Sequence, residues 1–402
     1  MCTPKLEMMF LTKETLKQES SEFENPDKTN SILCNEALHY APDTMHLDHT
    51  PMKYIRVNFH FMNSTDSANN LYGQKALDYA QSLLFYANHS LNENYKMFLP
   101  PNNNTPVLPT QYRYVLYSQP NIEGDNGVYS HFDDDLYFFV RVGKHRNLAD
   151  KRVINLYNVG EDTILNLFIM PHHPDSAASP TYRAEGTGIA LGNSVKIAGL
   201  TDSKEPIWNF KGLVNHEIGH VLGLSHTWQY NDGCDDTPNH PNCWNITTNA
   251  PCNTQTSNNV MDYNSRQHAW SPCQIGRVHR HLSDENNRAR RTLIPNWCTL
   301  HDDRHIIIKD TIHWKGEKDL EGHLTIEDGG VLKISCRVSI PEHGKITVKP
   351  GGTLILNQCH LHNSCGKTWT GIEIQTLKKK SGQVTSRGNI RLENMENKIV
   401  LE

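Results

Sequence analysis

Residues 216–226 read His-Glu-Ile-Gly-His-Val-Leu-Gly-Leu-Ser-His, with three imidazoles and two glycines among eleven residues. No feature of the chain constrains its fold more. His216 and His220 are four apart, so on a helix their rings share one face, one turn above the other. Val214, Ile218, Val221 and Leu222 mark the opposite, core-facing stripe. Two imidazoles one turn apart can hold one Zn2+ at about 2.0–2.1 Å per bond. Gly223 can take the left-handed conformation that ends a helix, which lets the chain fold back and bring His226 to the same ion. Three neutral nitrogens leave a fourth tetrahedral position for water, as in a catalytic rather than a structural site. Glu217, beside His216, is placed to hydrogen-bond that water. Zinc lowers the pKa of the water to about 7, and the glutamate takes its proton as it attacks a carbonyl. A lone His-x-x-x-His pair is ordinary helix surface. The glutamate, the glycine and the third histidine at these offsets are what point to a metal.

The stretch resembles the metzincin metallopeptidases, which carry a methionine turn beneath the zinc. Here NNVMDY (258–263) supplies Met261, 35 residues after His226, and Tyr263 two residues further on. Met261 by itself reads as a core filler; behind this histidine pattern it is assigned to the Met-turn. The resemblance implies that Tyr263 stabilises the tetrahedral oxyanion, a task that suits a phenol near zinc. A finer resemblance is to the pappalysin-like, cytophagalysin (M43-type) family. It rests on HEIGHVLGLSHTW (216–228), GCDDTP (233–238) and NNVMDY, and covers residues 51–298. It implies an α+β catalytic domain, with a mixed twisted sheet, the active-site helix and an irregular lower lobe closed by a helix at 273–291. The 187–199 stretch, read from its residues as one more strand or a hairpin, would then be the upper edge of the cleft, where a substrate backbone pairs as an added strand. The activity implied is that of a secreted zinc endopeptidase acting on proteins or peptides.

Asp232, Asp235 and Asp236 put three carboxylates into five residues, which repel unless solvated or bound to a cation. They read as a solvated turn or a Ca2+ site, and the resemblance favours calcium. Of ten cysteines, Cys234, Cys243, Cys252 and Cys273 crowd into forty loop-rich residues. That density points to disulfides and an oxidising compartment. The spacings are not Cys-x-x-Cys, so a cysteine zinc knuckle is not expected. Sequence alone leaves three pairings open; the resemblance implies the crossed one, Cys234–Cys252 with Cys243–Cys273. Cys34 reads as an odd structural or free cysteine, or as a thiolate blocking the zinc in a latent form. His172, His173, His240, His268, His279 and His281 lack ligand spacing. Some pappalysin-like enzymes cut before arginine or lysine, with an acidic residue shortly after the Met-turn tyrosine at the base of the S1′ pocket. Asn264, Ser265, Arg266, Gln267 and His268 include no acid, so neutral or acidic P1′ side chains are expected to do better than basic ones.

With 402 residues, two or three domains are expected. A net charge of −5 gives no polybasic surface for nucleic acid. The longest apolar runs, such as ILNLFIM (164–170), fall far short of the ~20 residues of a membrane span. The first twenty residues lack the apolar core of a signal peptide, but the cysteines outweigh this and favour an extracellular or cell-surface protein. Residues 1–50 read as a flexible or pro-like segment. Strands are expected at 54–62, 112–117, 136–142 and 164–171, and a helix within 67–93. Beyond 298 the texture turns to β. LTIEDGGVLKI (324–334) is echoed by ITVKPGGTLIL (346–356), with the Gly-Gly pairs 22 residues apart. That repeat suggests a β-solenoid at 299–402, the start of a parallel β-helix that could serve cell-surface association. The alternative reading is a surface or adhesive β-helical protein whose peptidase domain serves only processing.

Overall fold

The computed structural model describes residues 6–12, 15–18, 34–66, 70–178, 186–228 and 231–396. The chain divides into two compact units: Met52–Leu282 with Asn286–Ile294, and Met1–Pro51 with Ser283–Glu285 and Pro295–Glu402. The N-terminal segment is therefore not separate. Its described residues belong with the C-terminal unit. Strand β1 (Leu6–Phe10) pairs antiparallel with Gly371–Leu377, and β2 (Lys17–Gln18) lies parallel to Gln383–Arg387. Cys34 is joined to Cys336 by a disulfide, so it is no thiolate for the histidines of 216–226.

In the first of these units β3 (Lys53–Asn63), β4 (Tyr112–Leu116), β5 (Val128–Phe132), β6 (Leu165–Met170), β7 (Thr187–Ala190) and β8 (Ser194–Ala198) form one sheet. The order is β4-β3-β6-β8-β7, with β5 also on β3. All pairs are parallel except β7 with β8. Parallel strands covered on both faces read as continuous apolar runs, and every residue of β6 is buried. Helix α1 (Gly73–Glu93) turns Ala76, Ala80, Leu83, Leu84, Ala87 and Leu91 inward, at the spacing of a single helix face. Helices α2 (Arg152–Tyr157) and α3 (Pro174–Ala177) are short; α4 (Lys211–Val221) carries the histidine motif, and α5 (Pro272–Ser283) closes the unit. The helix expected at 273–291 thus stops at Ser283, with a 3-10 turn following at Ala289–Thr292. Among the described residues no helix is long and apolar enough to cross a membrane.

Residues 136–142 are not a strand. Phe139 is fully buried, as the apolar pattern requires, but the backbone bonds go elsewhere. Asp133 Oδ1 accepts from the amides of Asp135 and Leu136, both at 3.0 Å. The Val140 amide donates to Asn147 Oδ1 at 2.8 Å. The loop is then pinned by the buried Lys196 of β8, whose ammonium donates to Asn147 O at 2.7 Å and Asp150 O at 2.9 Å. The strand in this region is β5, upstream.

In the second unit the chain winds through three sheets four times. The first sheet stacks Ile306–Ile308, Leu324–Ile326, Lys345–Val348 and Gly371–Leu377. The second stacks Thr311–Trp314, Val331–Ile334, Thr353–Asn357 and Gln383–Arg387. The third stacks Lys318–Asp319, Arg337–Ser339, His360–His362 and Arg391–Leu392. All these neighbours are parallel. Leu324 faces Ile346 and Leu332 faces Leu354, the 22-residue offset of the Gly-Gly repeat. The first winding is shorter and the last longer, which is why the sequence displays only two clear copies. The glycines have separate duties. Gly329 and Gly351 take positive φ, 80° and 88°. A Cβ on Gly352 would sit 2.7 Å from Ile326 O of the winding before, so only glycine permits that approach. Leu324, Ile326, Leu332, Ile334, Ile346, Val348, Leu354 and Leu356 fill the interior.

Candidate active site

Helix α4 presents His216, Glu217 and His220. It ends where the spacing predicts: Gly223 has φ +86°, and the Leu224 amide donates back to Gly219 O at 2.9 Å. The returning chain brings His226 alongside. The Nε2 atoms of His216 and His220 lie 3.2 Å apart, those of His216 and His226 3.2 Å, and those of His220 and His226 3.0 Å. The opposite ring nitrogens decide the tautomers. His216 Nδ1 is 2.8 Å from Val260 O, and His220 Nδ1 is 2.9 Å from Leu224 O. A carbonyl can only accept, so both Nδ1 atoms carry hydrogen and both Nε2 atoms present lone pairs. Burial pushes His216 down to about 3 and His226 to about 4, which keeps the rings neutral. Imidazole nitrogens at this separation, kept neutral by burial, with two of the rings oriented by carbonyl partners, are a donor set suited to a divalent metal.

The turn of NNVMDY packs against the helix. Met261 is fully buried, and a Cβ on Gly219 would come 2.6 Å from its sulfur. The second glycine requirement of the motif is therefore steric: Gly219 lets the helix sit on the methionine. The turn also supplies Val260 O, the partner of His216. Asp262 ties the turn to the returning chain. Its buried carboxylate accepts from Thr227 Oγ1, Ser257 Oγ and His240 Nε2, the last at 2.9 Å. Burial works against this charge, but the bonds from His240, Ser257 and Thr227 outweigh it and hold the carboxyl below its usual range. His240 thus has a structural task that its spacing did not reveal. The signal was present in the Asp of NNVMDY and the Thr of HTW.

Tyr263 packs its ring 5.1 Å from that of His226 and 4.5 Å from that of Trp228, centroid to centroid. Above it stands Arg141, which sequence reasoning missed. Its guanidinium is 5.7 Å from the tyrosine ring centroid, and Nη2 is 3.4 Å from the hydroxyl. No carboxylate among the described residues pairs with it. Glu217 is 5% exposed; burial pushes its carboxyl up to about 8, against the pull of the nearby Arg141 charge. Over Glu217 lies β7: a Cβ on Gly188 would fall 2.5 Å from Glu217 Cγ and 2.6 Å from Oε1. His216, Glu217, His220, His226, Tyr263, Arg141 and Gly188 share a cavity of about 610 Å3, with Arg288 at another part of its wall.

Asp232, Asp235 and Asp236 do not converge. Asp232 accepts from the Cys234 amide at 3.1 Å and from Thr237 Oγ1 at 2.7 Å. Asp236 accepts from Ser271 Oγ at 2.6 Å and the Cys273 amide at 3.0 Å, which caps α5. Asp235 is exposed. The four cysteines are all bonded, but the pairs are Cys234–Cys273 and Cys243–Cys252, not the crossed set. Asp236 delivers the first turn of α5, and Cys273 with it, to the loop of Cys234. Cys243 and Cys252 close a short loop in which the Thr247 amide donates to Cys252 O at 2.8 Å. Of residues 264–268 none lines the cavity. Gln267 Nε2 donates to Asp262 O at 2.8 Å, and Arg266 stands 5.1 Å over the Phe98 ring. The remaining histidines are engaged elsewhere: His172 beside Asp202 at 3.3 Å, His173 stacked on His145 at 3.7 Å, His268 on Tyr95 at 4.3 Å, His279 on Thr110 O at 2.8 Å. His281 alone of them reaches the cavity wall.

This constellation defines a metallopeptidase. Residues 193–283, from the turn of the β7–β8 hairpin through α5, match the family model Peptidase_M43, described as pregnancy-associated plasma protein-A. No curated protein sequence matches the chain. Among solved structures, mature mirolysin of Tannerella forsythia in complex with a cleaved peptide is similar at 18% identity, covering 60% of this chain and 94% of that one, with a TM-score of 0.39. Mirolysin in complex with compound 9 aligns at 16% identity over 61% and 97%, with a TM-score of 0.39. A promirolysin mutant of Tannerella forsythia aligns at 15% identity over 66% and 88%, with a TM-score of 0.43.

Proposed function

We propose that the chain is a secreted, zinc-dependent endopeptidase, with one Zn2+ held by Nε2 of His216, His220 and His226. The observation that carries this reading is the convergence of the three Nε2 atoms, two of them fixed as lone pairs by the carbonyls of Val260 and Leu224. When bound, the ion supplies Lewis acidity toward a substrate carbonyl and a water acidified to about neutral pH. The protein does the rest. Glu217 accepts the proton of the attacking water and returns it to the leaving amine. The Tyr263 hydroxyl, with Arg141 above it, donates toward the oxygen on which charge develops. The free edge of β7, last in its sheet, receives the substrate backbone as an added strand. Four disulfides among the described residues support an oxidising, extracellular setting. We read the three-sheet winding of the second unit as a parallel β-helix, on the strength of its repeated parallel register. Calcium has no step in this mechanism.

The test uses the full chain. His220→Ala should lose one equivalent of zinc and all peptide hydrolysis. Glu217→Ala should keep the zinc and lose hydrolysis by on the order of 10³-fold or more, because base and water orientation vanish together. Near-normal turnover by Glu217→Ala would sink the mechanism.

A further inference from the structure

The second unit carries a separate donor cluster on its third sheet. In the strand His360–His362 the middle residue, Leu361, points into the core. His360 and His362 therefore share the opposite face, because side chains alternate along a strand. Their rings stack 4.2 Å apart. The next winding places Arg391 beside His360 and Leu392 beside Leu361, and so sets Glu393 next to His362. Glu393 Oε2 lies 2.9 Å from His360 Nε2, and its Oε1 takes Arg391 at 2.6 Å. One ligand atom from each of His360, His362 and Glu393 falls within 4.8 Å of the other two. A fourth group stands near: Glu285 Oε1 is 3.2 Å from His362 Nε2.

Proximity alone does not make a metal site, since acidic groups on a surface often sit together without an ion. The independent observation is His362. It is 8% exposed, and its Nε2 is buried without a hydrogen bond. A buried ring nitrogen without a hydrogen-bond partner is destabilising, and Glu285 Oε1, 3.2 Å away as an ion-pair neighbour, does not relieve it with a properly directed bond. A cation between His362, His360 and Glu393 would. Burial and the neighbouring His362 also keep the His360 ring below its usual range, the neutral form a ligand needs. Two imidazoles with one or two carboxylates form a borderline-soft N/O set, which favours Zn2+, Ni2+ or Cu2+ over Mg2+ and Ca2+.

We propose that His360, His362 and Glu393, with Glu285 alongside, bind a divalent transition metal at a second site. There the ion would tie the last winding to the one before it and to the Ser283–Glu285 segment. This proposal does not depend on the reading of residues 216–226. The full-length His220→Ala protein separates the two, because its active-site donor set is broken. After loading with Zn2+ and desalting, His220→Ala should retain one equivalent, and adding Zn2+ should raise its melting temperature. Adding His360→Ala and His362→Ala should abolish both effects. Because those changes could harm the sheet, Glu393→Gln in the His220→Ala background is the second variant. Its exposed side chain leaves the core untouched, and it should weaken Zn2+ binding by about tenfold or more. Co2+ offered to His220→Ala should give visible absorption bands, and Ca2+ should produce no thermal shift. The proposal is overturned if His220→Ala retains no zinc, or if the equivalent it retains survives both histidine substitutions. If wild type and His220→Ala both hold one equivalent of zinc, and the two histidine substitutions remove it, the active-site reading fails and this one stands.

Discussion

Gly188→Ala tests the active-site geometry more sharply than removal of any ligand. The added Cβ would lie 2.5 Å from Glu217 Cγ and 2.6 Å from both Cδ and Oε1. Carbon–carbon contacts settle at about 3.5–4.0 Å, so one side must yield by roughly 1 Å. Strand β7 is held by its antiparallel register on β8, where Gly188 faces Ile197. The backbone of α4 is held by Val214 and Ile218, both fully buried. The free end is the Glu217 carboxylate, and it will move. A displacement of about 1 Å in a catalytic group costs on the order of 10²-fold, or about 2.7 kcal/mol of transition-state stabilisation.

The fold should not suffer in proportion. Gly188 is not among the positive-φ glycines, so alanine suits its backbone, and replacing glycine within a strand gains about 0.5–1 kcal/mol. Against the steric contact, that leaves the melting temperature close to that of wild type. The measurements are kcat/KM on a quenched peptide, zinc per chain and thermal unfolding. The expected outcome is a fall of about 100-fold in kcat/KM, with zinc content unchanged. A variant within about threefold of wild type would refute the reasoning, because Glu217 would then tolerate a shift that base catalysis does not allow. A loss of zinc would show that the helix had moved instead.

Three further outcomes follow from the same contacts. On the proposed mechanism Tyr263→Phe should lower kcat by about 10–10³-fold with KM nearly unchanged, since its hydroxyl would act mainly on the transition state; a raised KM at constant kcat would make it a binding residue. Gln267→Asp, which by sequence alone would install a preference for arginine at P1′, should instead cost about 1–3 kcal/mol in denaturant unfolding. It removes the donor to Asp262 O, and a cleavage profile over P1′ residues should show no gain for arginine. Asp236→Ala should cost about 1–2 kcal/mol through loss of the α5 cap, with full activity and zinc retained and with no response to added Ca2+.

What was legible in the chain was what is local. His216, Glu217, His220, Gly223 and His226 meet because helical geometry alone, and one glycine, bring eleven residues together. Met261 and Tyr263 were reached through the resemblance. The contacts that tune the site lie between distant stretches and have no spacing to betray them. Gly188 looks like any small residue of a hairpin until it is placed over Glu217. Arg141 meets Tyr263 across 122 positions. Its loop also broke the strand assignment at 136–142. Phe139 obeys the apolar pattern, but Asp133, Asn147 and Lys196 claim the backbone that a ladder would have used. Periodicity reports which side chains are buried, and here a polar side chain rather than a neighbouring strand satisfied the main chain.

Two expectations in 232–273 meet at one helix start. Three clustered carboxylates read as a solvated turn or a cation site, and the resemblance favoured calcium and implied the crossed pairing of the four cysteines. Asp236 belongs to neither picture until α5 exists. A helix start offers unpaired amides and a positive field, and Asp236 meets that demand at Ser271 and Cys273. The same carboxylate thereby holds Cys273 beside the loop of Cys234, to which it is bonded. Cys243 and Cys252 are left to each other, nine positions apart. The cap thus fixes both the chemistry of the turn and the topology of its disulfides, and it lies at the end of the same helix that packs beneath the Met-turn through Gln274 and Asn259.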